Sequence, residues 1–128
     1  METPVDVLLS LQTWAVVGLS TNRTRAAYEV AEFLQHKGKR IVPVHPHAED
    51  VHGETGYASL SDIPFPVDVV DCFVRSSLVG PVVDEAIAIR ASGVWLQLDV
   101  VDEAACLRAE AAGLVVVRDR CPKIEWPS

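Results

Sequence analysis

The chain is expected to form a three-layer α/β/α fold: a doubly wound, mainly parallel sheet of five strands flanked by helices. Five short apolar runs recur along its 128 residues. They lack the alternation of a half-wet strand, so each is expected to be buried on both faces, as in a parallel sheet covered by helices. Segments with helical spacing separate successive runs, which implies right-handed crossovers. Glycines also stand where those helices would end.

Thr3, Pro4 and Asp6 read as a helix cap, a proline in the first helical position and a capping-box acid, opening a short helix to about Gln12. "WAVVG" (14–18) is the first strand. A helix is expected from about Arg25 to Lys37, with Tyr28, Ala31, Phe33 and Leu34 near 3–4 spacing and Gly38 after its end. "RIVPV" (40–44), "VDVVDCFV" (67–74), "VWLQL" (94–98) and "LVVV" (114–117) are the remaining strands. Helices are expected at about 78–92, with Pro81 in the first turn and Gly93 at the end, and at about 102–112, ended by Gly113. The long irregular stretch 45–66 contains "SLSDIP", which suits a short turn of helix, and loops of that length inside a compact domain are often functional.

Residues 1–128 suit one domain with a substantial core. With 49% hydrophobic and 23% charged residues, the composition is that of a folded chain. A formal charge of −7 repels polyanions, so nucleic acid is not expected as a partner, although a few local basic groups still suffice for a small anion. Cys72, Cys106 and Cys121 are odd in number and lack metal-ligand spacing, and the acidic N-terminus has no signal-peptide character. A reduced, cytoplasmic protein is expected. No apolar run approaches the roughly 18 residues that suggest a membrane span.

In doubly wound sheets ligands bind beyond the carboxyl ends of the strands, where the strand order reverses. Here that place is "GLSTNRTR". Gly18 permits a sharp turn and close approach, Ser20, Thr21 and Asn22 offer polar groups, and the following helix points its positive end at the site. Arg23 and Arg25 suit charge-assisted phosphate contacts. An ordinary strand-to-helix turn also needs a small residue and a polar cap, so the loop alone leaves both readings open. The dinucleotide fingerprint G-x-G-x-x-G fails, because Ser20 and Arg23 stand where glycines are required. The acid that should end the second strand and hold a ribose is also missing, for Val44 is followed by His45 and Pro46.

These residues resemble the small CoA-binding proteins built like the nucleotide-binding domain of the succinyl-CoA synthetase alpha subunit. The similarity spans nearly the whole chain through "VVGLSTN", "IVPVHP", "YASLSDIP", "VDVVDCFVR", "EAIAIRASGVWLQL" and "AEAAGLVVVRDRCPKIE". It implies a Rossmann-like domain that holds coenzyme A or an acyl-CoA. Gly18, Ser20, Thr21, Asn22 and Arg25 would line the diphosphate site. Val44, His45, Pro46, Phe73, Val74 and Arg75 would flank the adenosine, with Arg75 or Arg23 meeting the 3′-phosphate. The chain departs from the family pattern at Ala26 and Ala27, at His45 in place of asparagine, and at Asp99 in place of glycine. A carboxylate at Asp99 would repel phosphate, so it is expected near the pantetheine arm or outside the pocket.

No catalytic constellation stands out, and no metal site is expected. His45, His47 and His52 read as exposed loop residues and His36 as a complement to its helix dipole. Cys121, near Arg120 and Lys123, is the one candidate for a reactive thiolate, set against a structural role for "DRC" in which Asp119 and Arg120 pair to pin the tail. Cys72, Trp14 and Trp95 read as core. The expected role is a non-catalytic CoA carrier, sensor or docking signal for a protein partner. The alternatives are an NAD(H)-responsive regulatory module and a CoA-dependent thiol or acyl-transfer enzyme using Cys121.

Overall fold

The computed structural model describes residues 2–127. In chain order the elements are α1 (Pro4–Leu9), β1 (Thr13–Val17), α2 (Ala26–His36), β2 (Arg40–Val44), a 3₁₀ turn (Leu60–Asp62), β3 (Val69–Cys72), α3 (Ser76–Ala88), β4 (Gly93–Leu96), α4 (Glu103–Ala111), β5 (Val115–Val117) and α5 (Pro122–Glu125). All five strands are parallel, in the order β2-β1-β3-β4-β5. This is the expected doubly wound α/β fold. The order reverses at β1, which places the β1–α2 loop at the switch point.

Two apolar layers sandwich the sheet. On one face Ala15, Val17, Val70, Cys72, Val94 and Leu96 pack against Val79, Val83 and Ala86 of α3 and Ala105, Cys106 and Ala109 of α4. On the other, Trp14, Val16, Ile41, Val69 and Trp95 meet Leu8 of α1 and Ala27, Val30, Ala31 and Leu34 of α2. Trp14 and Trp95 are fully buried with ring centroids 5.6 Å apart. Their indole N–H groups donate to Leu11 O at 3.0 Å and Arg120 O at 2.9 Å, so neither leaves a polar atom stranded.

β2 is an edge strand, which explains how it accommodates Pro43: a missing N–H costs no ladder bond on an outward side. The Pro43 carbonyl instead accepts from Tyr57 N at 3.0 Å, which folds the long loop back along β2. Leu60 N, Ser61 N and Ser61 Oγ donate to the Glu85 carboxylate of α3 at 3.2, 3.3 and 2.9 Å, fixing the expected short turn.

Several boundaries differ from expectation. α1 keeps its Thr3–Asp6 capping box but stops at Leu9, where Ser10 Oγ donates back to Val7 O at 2.7 Å. α3 begins two residues early, at Ser76, so Pro81 sits beyond the first turn, on the exposed side of the helix with Ser77, whose carbonyl the proline leaves without an i+4 donor. Gly93 starts β4 rather than ending a helix. A Cβ there would lie 2.5 Å from Leu8 Cδ2 and 2.6 Å from Val115 O, so glycine is what lets α1 close on the sheet. α5 was not expected; Pro122 starts it in the N1 position.

Candidate functional site

Register makes the site. Val44, Val17, Cys72 and Leu96 lie in one row across β2, β1, β3 and β4. The next residues, His45, Gly18, Phe73 and Gln97, therefore leave the sheet at the same level, and a cleft of about 860 Å³ opens over them. Gly18 is caught between neighbours: its N–H donates to Val44 O at 2.8 Å, and a Cβ would strike the Phe73 carbonyl oxygen. Its φ of 100° adds a backbone requirement that side-chain-bearing residues rarely meet.

Beyond Gly18 the chain is anchored by Leu19, fully buried in the α2-side core. The turn then holds itself: Asn22 N donates to Ser20 Oγ at 3.2 Å, and Asn22 Oδ1 accepts from Thr24 N and Thr24 Oγ1 at 3.0 and 2.6 Å. α2 starts immediately after Arg25, with no side-chain cap, and Ala26 and Ala27 line the cleft. α3 likewise starts after Arg75 without a side-chain cap. Two helix N-termini with free amides thus open on one cleft, where the helix dipoles favour an anion. Neither Arg25 nor Arg75 forms a salt bridge among the described residues. Both guanidinium groups line the cleft without an acidic partner among the described residues.

Ten of the twelve expected site residues come together in this lining: Gly18, Ser20, Asn22, Arg25, Val44, His45, Pro46, Phe73, Val74 and Arg75. Thr21 and Arg23 do not. Thr21 turns outward to Glu49, and the Arg23 guanidinium lies 6.0 Å from the centroid of the Tyr28 ring. Asp99 lies outside the lining, its N–H donating to Asp119 Oδ1 at 2.7 Å. That bond also replaces the expected Asp119–Arg120 pair.

His45 is half-buried in the lining, and its Nδ1 accepts from His47 N at 3.3 Å. A neutral His45 must then carry its proton on Nε2, as a donor. His52 is not the exposed loop residue expected: its ring stands 4.2 Å from that of Tyr28, and its Nε2 bonds Tyr28 O at 2.8 Å. Among the described residues no three His, Cys, Asp or Glu side chains gather as a metal set. Cys121 is buried against the α2-side core rather than presented as an exposed thiolate, and it does not line the cleft.

The sequence reading missed Ala58, Ser59, Leu78, Val82, Glu85, Gln97, Leu98 and Val100, which complete the walls. Gln97 carried a signal, as a polar residue inside an apolar strand run. It is 7% exposed, and its side-chain carbonyl oxygen has no hydrogen-bond partner. Asp71 was missed for another reason: it is fully buried on the α2 side of the sheet beneath the cleft, in register with Val16 and Trp95, and neither carboxylate oxygen is bonded. Burial without a partner pushes its carboxyl well above the usual range.

The chain is 32% identical over 119 residues to the uncharacterized protein YneT of Bacillus subtilis, covering 93% of this chain and 88% of that one. Among solved structures it is similar to a hypothetical protein from Pyrococcus horikoshii, with a TM-score of 0.91 and 35% identity over 97% of this chain and 89% of that one. It is also similar to the cell-free ID.343 protein from Thermus thermophilus, with a TM-score of 0.88 and 35% identity over 93% and 91%. A family model described as CoA binding domain matches residues 12–127, which span every strand and both arginines of the cleft. The chain belongs to the CoA-binding domain family.

Proposed function

We propose that this chain is a single-domain cytoplasmic protein that binds coenzyme A or an acyl-CoA in the cleft at the switch point, as a carrier, sensor or docking signal rather than as an enzyme. The observation that carries this reading is the pairing of two uncapped helix N-termini with two arginines free of salt bridges, over a second strand that ends without an acid. Ser20, Asn22, Arg25 and the α2 amides would hold the diphosphate. Val44, His45, Pro46, Phe73 and Val74 would flank the adenosine, and Arg75 would meet the 3′-phosphate. The missing ribose acid argues against NAD(H). The burial of Cys121 away from the cleft argues against acyl transfer through that thiol.

Calorimetric titration with CoA, dephospho-CoA and NADH tests the reading. CoA should bind, dephospho-CoA more weakly, and NADH not measurably. Absence of CoA binding at millimolar concentration overturns it, and NADH binding that survives CoA competition favours the regulatory module instead.

A further inference from the structure

Toward the end of β4 the cleft wall turns apolar, one helical turn along α3 from Arg75. Leu78 and Leu98 line it while remaining 56% and 47% exposed. Val101, 60% exposed, is tethered to the same helix start: its N–H donates to Ser76 Oγ at 2.8 Å, and that hydroxyl lies 3.3 Å from Asp99 O. Large apolar side chains left open to water beside a cleft mark a binding surface. Gln97, immediately before Leu98, adds a second observation, a buried carbonyl oxygen with no donor. Such an acceptor is costly unless a ligand N–H or O–H meets it.

If CoA occupies the cleft, its parts account for the remaining space. The diphosphate falls to the β1 loop and the adenosine to the ends of β2 and β3, which leaves the β4 end for the pantetheine arm. That arm carries two amide N–H groups, the donors Gln97 lacks. Its thiol terminus then meets the leucines. Resting on the CoA reading, we propose that Leu78, Leu98 and Val101 form a subsite for the acyl group of a CoA thioester. It selects an uncharged, straight-chain acyl group over both free CoA and a carboxylated acyl group. Selection against the carboxylate comes from Asp99, exposed next to Leu98, and Asp119, which is bonded to it, because the one guanidinium nearby, that of Arg75 one turn before Leu78, is taken up by the 3′-phosphate.

The test is titration of the full chain with CoA, hexanoyl-CoA and succinyl-CoA, repeated on the Leu78→Ser/Leu98→Ser variant. Hexanoyl-CoA should bind about tenfold more tightly than CoA, a partial burial of its methylenes, and succinyl-CoA no more tightly than CoA. In the variant the hexanoyl-to-CoA affinity ratio should fall to near one. Equal binding of CoA and hexanoyl-CoA overturns the subsite and leaves the CoA reading standing. A ratio that survives in the variant, or an equal gain with succinyl-CoA, also overturns it. Failure of CoA and both thioesters to bind overturns the CoA reading itself, and the subsite with it.

Discussion

Glu49 holds Thr21 by both of its polar groups: the backbone N–H donates to Oε1 at 3.4 Å and the hydroxyl to Oε2 at 3.1 Å. A carboxylate from the loop after β2 thus engages a residue of the glycine loop that the sequence assigns to phosphate. It brings negative charge to the loop proposed to hold the diphosphate, and it engages Thr21 outside the cleft lining. Glu49→Gln should therefore raise CoA affinity about twofold to fivefold, the scale of one exposed charge interaction. Isothermal titration at low ionic strength measures it. A loss of affinity would mean that the contact orders the loop for binding instead.

Arg25 and Arg75 stand at the starts of α2 and α3 with no acidic partner among the described residues, so their removal should cost binding without costing stability. Arg25→Ala should weaken CoA and dephospho-CoA alike, by at least tenfold, as loss of a charge-assisted bond to the diphosphate. Arg75→Ala should weaken CoA but leave dephospho-CoA little changed. The difference between the two ligands in the two variants assigns the phosphates. Equal effects in both variants would remove the 3′-phosphate role from Arg75.

The sheet was legible because its strands are buried on both faces, which writes continuous apolar runs, and because the glycine loop sits at the switch point such a sheet creates. Ten expected site residues meet for the same reason, since they follow the ends of neighbouring strands. The side chains that left the site did so through contacts invisible in local spacing: Thr21 met Glu49, 28 residues away, and Arg23 met Tyr28. The far wall was illegible because Leu78, Val82 and Glu85 read as ordinary helix residues until α3 is laid across the strand ends. Gly93 misled for a simple reason: a glycine demanded by close packing against Leu8 looks the same in sequence as one that ends a helix.

Asp99 occupies a backbone conformation that suits glycine better than aspartate. Its φ is 67°, in the left-handed region, and is fixed from both sides: its N–H donates to Asp119 Oδ1 and its carbonyl accepts from Ser76 Oγ. Asp99→Gly should stabilise the fold by about 0.5–1 kcal/mol through relief of that conformation, read as a higher thermal midpoint. It also removes a carboxylate beside Leu98, so succinyl-CoA should gain affinity more than hexanoyl-CoA does. An equal change for both thioesters would separate the backbone effect from any electrostatic one.

Asp71 predicts an unusual pH dependence. Its carboxyl is fully buried between β1 and β4 with both oxygens unbonded, and desolvation raises it well above its ordinary value of 3.8. The folded chain therefore keeps this proton over a range in which the unfolded chain has lost it. Stability from this group is complete below about pH 4 and falls as pH rises toward the folded value, the reverse of a salt-bridged aspartate. Asp71→Asn keeps the shape and removes the titration, so the two proteins should differ little at pH 4, with the variant gaining relative stability toward pH 8. Asp71→Val goes further, because it also removes the unsatisfied oxygens; a gain of about 1–3 kcal/mol at pH 7 is expected. Denaturant midpoints across this pH range measure both effects. A wild-type chain whose stability rises from pH 4 to pH 8 in parallel with Asp71→Asn would show that Asp71 ionises without cost in the fold, and would require a hydrogen-bonded partner for it.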